Sequence, residues 1–292
     1  MSNSKVYKAV TERVLDELRN GVVPWSKPWN VRGSENLPKN LISKKAYRGV
    51  NLLLLPNTYK RPYFLTFKQC KDLGGHVMKG EKGYMIVFWK ILKKNVKDQE
   101  TGETKTETIP LLKKYYVFNV DQCEGIDEKK IPEVKKAEDL ENDLEPVDIC
   151  EKIYKEMPEK PEVRENGAQA YYSPLDDYIG MPSMKLFKNI EGYYGTLFHE
   201  MTHATAHETR LNRETGSRLQ IAKYSKEELV AEMGAAFLCS YAGIENDIKQ
   251  NASYIDHWMK QISEDEKLVV SAAGKAQKAA DYILNINHEN NR

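Results

Sequence analysis

The segment FHEMTH, residues 198–203, places two histidines four positions apart, with a glutamate directly after the first. The surrounding stretch, roughly 189–207, has apolar residues at helical spacing. On a helix, His199 and His203 share one face, so both imidazoles can bind one Zn²⁺ at about 2.0–2.1 Å. The chain has six histidines in all, and a chance match has a probability on the order of one per cent. The segment therefore predicts a helix that carries a metal site.

Glu200 of this segment is the candidate general base. A zinc ion would lower the pKa of its water toward ~7, Glu200 would take the proton, and the hydroxide would attack a peptide carbonyl. The alternative is that both histidines are ordinary polar residues of an amphipathic helix, but a buried imidazole pair without a metal needs other partners. The expected reaction is peptide hydrolysis.

A catalytic zinc needs three protein ligands and one open position. Candidates for the third ligand lie in YSKEELVAEMGAAFL, where a helix is predicted over 225–242. In metallopeptidases whose ligand helix reads E-x-x-A-[ED], the first acid binds the metal and the second forms a hydrogen bond with a ligand histidine. This segment resembles that pattern, and the resemblance favours Glu228 as ligand and Glu232 as hydrogen-bond partner of a ligand histidine. Alternatively, Ser225 and Glu228 form a capping box, which would leave Glu232 for zinc. His207 is a further imidazole, expected beside the site or at the surface.

Charge is distributed unevenly along the chain. Residues 1–125 hold 23 Lys and Arg against 12 Asp and Glu, a net charge of +11, and the remainder holds 21 against 31, a net charge of −10. A basic half suggests a polyanionic partner. The alternative is two oppositely charged surfaces that attract each other.

The first half reads as a mixture of helix and strand. A helix over 4–20 ends at Gly21 and is followed by GVVPWSKPWN, expected to be an exposed loop with aromatic residues. A short helix ending at Gly74 precedes the strand KGYMIVFWKIL, and LLKKYYVFNV is its expected antiparallel partner across a long loop with Gly102 at its tip.

An acidic, aromatic-poor stretch divides the chain. The fold class predicted is α+β with two domains, a small α+β domain over 1–126 and a mainly helical domain over 147–292, joined by a linker over 127–146. Beyond the linker, helices are expected at 147–157, 189–207, 225–242 and 252–286. The segment AYYSPLDDYIGMP reads as strand and turn, and is a candidate edge strand for an extended peptide substrate. A plain structural strand is the alternative.

The compartment is expected to be the cytoplasm. The four cysteines, Cys70, Cys123, Cys150 and Cys239, form no CxxC pair and are expected to be reduced. The N-terminus lacks the apolar region of a signal peptide, and no stretch of about 18 apolar residues follows, so no membrane association is expected.

Taken in order, several strings resemble the ArdC antirestriction family. They are GVVPWSKPW, KAYRGVN, TFKQCKDLGGHVMKGEKG, YVFNVDQ, DDYIGMP, GTLFHEMTHATAH, RLNR, YSKEELVAEMGAAFL and AQKAADYIL. The resemblance covers nearly the whole chain. It implies a single-stranded DNA-binding N-terminal domain fused to a zincin-like metallopeptidase domain, encoded on conjugative or other mobile elements, that protects incoming DNA from restriction enzymes. The implied partners are single-stranded DNA and an unidentified protein substrate or restriction enzyme.

The basic half contains the residue types that hold single strands, namely cations for the backbone and aromatic rings for the bases. The candidate DNA-binding residues are Trp25, Trp29, Tyr47, Arg48, Asn51, Lys79 and Lys82. Core packing is the alternative for the aromatic residues, and an ordinary solvated surface is the alternative for the cations.

Two rival functions remain open at this point. One is a non-enzymatic protein that occludes DNA or a restriction enzyme and uses zinc as a structural element, although such zinc normally has four protein ligands. The other is a nuclease, for which the sequence lacks the carboxylate-rich two-metal pattern.

Overall fold

The structure, a computed structural model, describes residues 3–26, 37–97, 104–133, 146–215, 221–246 and 252–286. Its helices are α1 (Asn3–Arg19), α2 (Val50–Leu54), α3 (Phe67–Asp72), α4 (Pro146–Glu156), α5 (Ile190–Ala204), α6 (Ile221–Ala242), α7 (Ala252–Glu264) and α8 (Leu268–Ile283). Its strands are β1 (Lys39–Asn40), β2 (Tyr63–Leu65), β3 (His76–Val77), β4 (Tyr84–Lys97), β5 (Thr104–Asn119), β6 (Cys123–Glu124), β7 (Glu162–Glu165), β8 (Tyr171–Ser173) and β9 (Tyr178–Met181). The predicted α+β fold class is confirmed.

The first half is built around the long β4–β5 hairpin. The sheet order is β1-β2-β5-β4, with β1 parallel to β2 and the other pairs antiparallel. The hairpin register runs from Tyr84 opposite Val117 to Lys97 opposite Thr104, in agreement with the predicted strand pair. The predicted loop tip at Gly102 lies outside the described residues. Because side chains alternate along a strand, the hairpin presents two distinct faces.

Helix α3 begins with a capping box, as its sequence TFKQ permits. The Thr66 hydroxyl accepts a hydrogen bond from the Gln69 N–H, and the Gln69 side chain accepts one from the Thr66 N–H. After α3, the chain reverses at Gly74, whose φ of 89° is a conformation that side chains with a Cβ rarely adopt.

The second half contains a small sheet packed against α5. Its order is β7-β9-β8, with β7 parallel and β8 antiparallel to β9. Within the part of the chain that the structure describes, β8 is an edge strand that contacts α5. The predicted strand and turn in AYYSPLDDYIGMP are therefore present beside the candidate metal helix.

Two helix boundaries differ from the sequence predictions. Helix α6 begins at Ile221 rather than near Ser225. The helix predicted over 252–286 is two helices, α7 and α8, separated at residues 265–267. The break is stabilised because the Asp265 side chain accepts the Lys267 N–H, and the Thr11 hydroxyl donates to the Glu266 carbonyl. Helical periodicity continues through such a break, so the sequence pattern alone does not reveal it.

The main hydrophobic core includes residues from both halves. Helices α1 and α2 and the 3-10 turn Pro24–Ser26 share this core with α4 to α8, and α1 contacts both α7 and α8. Smaller clusters lie around Leu65 and Phe64 in the first half. Residues 134–145 of the expected linker lie outside the described part. The division at 127–146 stays a prediction, and the two halves share buried apolar surface.

Each helix in the described part of the chain is either too short or too polar to span a lipid bilayer.

Candidate functional site

Helix α5 carries FHEMTH and is capped at its N-terminus. The Asn189 side chain caps it by accepting the Gly192 N–H at 2.9 Å. One face is buried through apolar residues at helical spacing, including Leu197, Phe198 and Met201. The two histidines lie on the face turned toward α6.

Close packing of α5 against α6 depends on Gly234. A Cβ at this position would lie 2.5 Å from the Thr202 Cγ2 atom, closer than packed atoms approach each other. The contact brings the two helices close enough for a carboxylate of α6 to reach the histidines of α5. The string EELVAEMGAAFL, residues 227–238, thus supplies both Glu228 and the glycine that allows the close approach.

The donor atoms of His199, His203 and Glu228 form a cluster in which all lie within 4.8 Å of one another. The two Nε2 atoms are 3.1 Å apart. The Glu228 carboxylate lies 3.5 Å from His199 Nε2 and 3.4 Å from His203 Nε2. Two imidazoles and a carboxylate converging at this distance are the donor set of a zincin-type metal site. The residues fit a divalent ion.

Solvent can reach this cluster. The three side chains are 16–26% exposed. Glu200, next to His199 on α5, is buried, with only 8% of its surface exposed. An open side is what a site that binds substrate requires, because the fourth position must stay available.

The capping-box alternative for Glu228 does not fit the structure. Helix α6 begins four residues before Ser225, so Ser225 lies inside the helix and is not its N-cap. Glu228 faces the histidines instead. Glu232 lies one turn further along α6, outside the three-residue cluster. Burial raises the pKa of Glu232, and the charge of His199 opposes that shift.

Glu227 is part of the site and was missed by the sequence reasoning. Its carboxylate lies 3.8 Å from Nδ1 of His203, the ring nitrogen that faces away from the cluster. Arg213 holds Glu227 from the other side, and it also donates to the Thr205 hydroxyl and the Thr202 carbonyl. The sequence feature that could have pointed to a buried carboxylate here is Arg213, the second arginine of RLNR.

The carboxylates around His203 favour its protonated form when no metal is bound. Burial alone would lower the pKa of His203, but the adjacent carboxylates of Glu227 and Glu228 outweigh it and raise this pKa to about 10. Burial alone would raise the pKa of Glu228, but the two histidines hold it well below its ordinary value. The acidic surroundings therefore attract positive charge to this position.

A second arginine ties the small sheet to the end of α5. The Arg210 side chain is 1% exposed and forms a bidentate pair with Asp177, at 2.9 and 2.8 Å. It also donates to the carbonyls of Ala204 and Glu159. The Tyr172 hydroxyl of β8 donates to the same aspartate. The edge strand is thus held in a fixed position relative to α5.

The prediction that Trp25 lies in an exposed loop is wrong. Trp25 is 3% exposed, and its ring packs edge-on against Trp258 at 6.1 Å. Its indole N–H donates to the Tyr254 hydroxyl at 3.3 Å. A ring enclosed in this way cannot stack on a base, so the core-packing alternative applies. Trp29 lies outside the described residues.

Tyr47, Arg48 and Asn51 lie close together, with unequal access to solvent. The Tyr47 ring is 4% exposed. Asn51 is buried, and its amide makes two hydrogen bonds to the backbone of Val87, which fixes α2 to β4. Arg48 is partly exposed and contacts Asp281 of α8. All three line an open groove.

Lys79 and Lys82 are exposed in the turn between β3 and β4. This turn contributes to a separate depression beside α1, which is also lined by Glu12, Asp16 and Glu81. The two predicted groups of DNA-binding residues therefore lie in different places.

Two family models match the chain in succession. Residues 4–118 match the N-terminal domain of anti-restriction factor ArdC. Residues 151–275 match a zincin-like metallopeptidase.

Several relatives match along almost the whole chain. The protein y4eC of Sinorhizobium fredii is 31% identical over 288 residues, which cover 95% of this chain and 91% of that protein. Two Escherichia coli proteins named DNA primase TraC are also 31% identical and cover 95% of this chain. The matched regions are 27% and 20% of those longer proteins.

Two solved structures have the same fold. The metal-free crystal structure of the antirestriction protein ArdC from plasmid R388 is 36% identical with a TM-score of 0.73, and covers 96% of this chain and 97% of that chain. Its Mn(II)-bound structure is 34% identical with a TM-score of 0.72, and covers 97% of this chain and 98% of that chain. The chain therefore belongs to the ArdC antirestriction family and combines an ArdC-type N-terminal domain with a zincin-like metallopeptidase domain.

Proposed function

We propose that this chain is an antirestriction protein of a mobile element that hydrolyses peptide bonds with zinc and binds single-stranded DNA. The cluster of His199, His203 and Glu228 carries the peptidase part of the proposal. The relatives support an antirestriction role on a mobile element, since one is a plasmid antirestriction protein and two are named DNA primase TraC. The cytoplasm is the compartment in which such a protein would act.

His199, His203 and Glu228 would hold the ion. Zinc is proposed because two imidazoles with one carboxylate are the ligand set of many catalytic zinc sites. A bound ion of this kind lowers the pKa of water and polarises a carbonyl oxygen.

The remaining residues each have a defined task. Glu200 lies beside His199 on the same helix, where it can take a proton from water and return it to the leaving amine. Glu227 orients the His203 ring through Nδ1, and Arg213 holds Glu227. Among the described residues β8 is an edge strand, and in this role it would align an extended substrate by main-chain hydrogen bonds.

The non-enzymatic alternative assigns the metal a structural role. A structural zinc is normally enclosed by four protein ligands. Among the described residues, the cluster offers three, with partly exposed side chains. An incomplete and accessible ligand set favours catalysis over a purely structural role.

Replacing Glu200 separates these functions. Glu200→Gln should keep the bound metal, because a general base contacts water rather than the ion, and should reduce hydrolysis of a fluorogenic peptide library by about 10²-fold or more. Glu208→Gln, an exposed change beyond the C-terminus of α5, is the matched control and should behave as the unchanged protein. Equal hydrolysis by both variants would reject Glu200 as the base. If Glu200→Gln still protected incoming DNA fully, occlusion would be the better account of protection.

Binding of single-stranded DNA is the second proposed function. It is supported by the net charge of +11 in residues 1–125 and by aromatic residues exposed on the β4–β5 hairpin, including Phe88, Trp89, Tyr115 and Tyr116. Cations and accessible rings are the two kinds of group that hold unpaired nucleotides. Affinity should fall steeply with salt, and duplex DNA should bind more weakly.

A further inference from the structure

An open groove of about 800 Å³ lies between the β4–β5 hairpin, the segment 40–51 and helix α8. Its size is within the range of ligand-binding clefts. The residues that matter for its chemistry are Lys45, Arg48, Phe88, Lys90, Tyr115 and Gln277.

The floor of the groove has two accessible aromatic rings. Phe88 of β4 is 48% exposed and Tyr115 of β5 is 42% exposed. Their ring centroids are 6.1 Å apart. Both project from the same face of the hairpin, since Tyr115 is opposite Ile86, two residues from Phe88. The ring centroid of the buried Tyr47 lies 6.4 Å from that of Phe88, so the two rings pack together.

The charge of the groove is of one sign. Lys45, Arg48 and Lys90 line it, and none of the described lining residues is acidic. Arg48 keeps 36% of its side chain exposed even though it pairs with Asp281. Rings flanked by cations suit a ligand that carries both flat apolar surfaces and negative charge, as a nucleotide chain does.

One wall of the groove comes from the other half of the molecule. Val270, Gly274 and Gln277 of α8 line it. The Gln277 side chain accepts the Gly49 N–H at 2.8 Å, and Asp281 accepts from Arg48. The groove therefore has its full shape only when α8 is docked against the first half.

We infer that this groove is where the chain holds single-stranded DNA, with unpaired bases on Phe88 and Tyr115 and phosphates near Lys45 and Lys90. The inference rests on the proposed DNA binding, and adds its location and the contribution of α8. Stacking on these rings requires a base that is free on one face, so a strand with unpaired bases fits better than a duplex.

Neighbouring residues of the hairpin provide matched controls for the rings. Tyr115 and Tyr116 are adjacent and similarly exposed, at 42% and 52%, but project from opposite faces. In fluorescence anisotropy with the full chain and labelled oligothymidylate, Tyr115→Ala and Phe88→Ala should weaken binding about 5-fold or more. Tyr116→Ala should not change it, and Tyr115→Phe, which keeps the ring, should bind normally.

The lysines give a second comparison. Lys90 lines the groove, whereas Lys93 is exposed on the opposite face of the same strand. Lys90→Ala should reduce the slope of log affinity against log salt by about 0.7 if it contacts one phosphate, and Lys93→Ala should leave the slope unchanged.

The outcomes separate the inference from the function on which it rests. Equal effects of Tyr115→Ala and Tyr116→Ala, in protein shown by circular dichroism to be folded, would overturn the location. If the unchanged protein did not bind oligothymidylate at all, the proposed DNA-binding function itself would be overturned. If oligoglutamate displaced the labelled oligonucleotide as effectively as unlabelled oligothymidylate does, the groove would be assigned to an acidic peptide instead.

Discussion

The Arg213 guanidinium lies 2.5 Å from the Glu227 carboxylate, and the two side chains are only 9% and 5% exposed. Glu227 in turn faces Nδ1 of His203. A buried carboxylate held by an arginine and directed at a histidine can fix the orientation of the imidazole. The pair thus connects the loop after α5 to the candidate metal centre.

Glu227→Ala should weaken zinc binding by about 10–100-fold, because His203 loses the group that orients it. It should also lower the free energy of unfolding by about 3–5 kcal/mol, since Arg213 keeps a buried charge without its partner. Chelator-buffered zinc titration and urea denaturation measure the two effects. Lys226→Ala, which at the neighbouring position removes a surface ion pair with Asp265, is the control for zinc affinity and should leave that affinity unchanged. Unchanged zinc affinity in folded Glu227→Ala protein would remove this residue from the site.

Single replacements should rank the metal ligands. His199→Ala, His203→Ala and Glu228→Ala each remove a donor of the cluster, so bound zinc per chain should fall sharply in a chelator-buffered assay. Glu232→Ala should produce a milder loss of about 10–100-fold, as expected of a residue that acts through a ligand. If Glu232→Ala lost zinc completely and Glu228→Ala did not, the assignment of the third ligand would be reversed.

Trp25→Ala should reduce stability by about 3–5 kcal/mol, because it removes a buried ring that packs against Trp258. The affinity of the surviving folded protein for single-stranded DNA should not change. Thermal melting together with anisotropy at a temperature below the transition distinguishes the two. A drop in affinity without a loss of stability would restore the stacking role for this residue.

The Asp177–Arg210 pair should make stability depend on pH. Burial alone would raise the pKa of Asp177, but the hydrogen bonds of Arg210 and Tyr172 outweigh it and lower this pKa. A carboxylate with a lowered folded-state pKa adds stability above its ordinary pKa of about 3.9, and this contribution disappears as the pH falls through the folded-state value. The melting temperature of the unchanged protein should therefore fall more steeply below about pH 4 than that of Asp177→Asn. Parallel pH profiles would contradict the pairing.

Much of the fold followed from local patterns in the sequence. The first helix, the β4–β5 hairpin and the HExxH helix have strong periodicity, and the structure contains all three. The break between α7 and α8 includes a hydrogen bond from the Thr11 hydroxyl, 255 residues away, to the Glu266 carbonyl. The burial of Trp25 likewise involves Tyr254 and Trp258, which are distant in sequence. Contacts between the two halves leave no local pattern to read.

The candidate metal cluster was easier to predict than the groove. His199 and His203 are one helical turn apart, so their spacing alone places them together. The position of Glu227 beside His203 depends on the packing of α6 against α5, and the lack of a side chain at Gly234 allows the close approach to Thr202. Phe88 and Tyr115 are ordinary strand residues in the sequence, and only the register of the hairpin brings them onto one face of the groove.

A crystal structure of the zinc-loaded protein with anomalous data would show whether the proposed zinc site is open and has three protein ligands. One zinc is expected, with His199, His203 and Glu228 at about 2.0–2.2 Å and a fourth position that no protein atom occupies. Glu200 should lie within hydrogen-bond distance of the group at that position. A fourth protein ligand that closes the site, or Glu232 in place of Glu228, would contradict it.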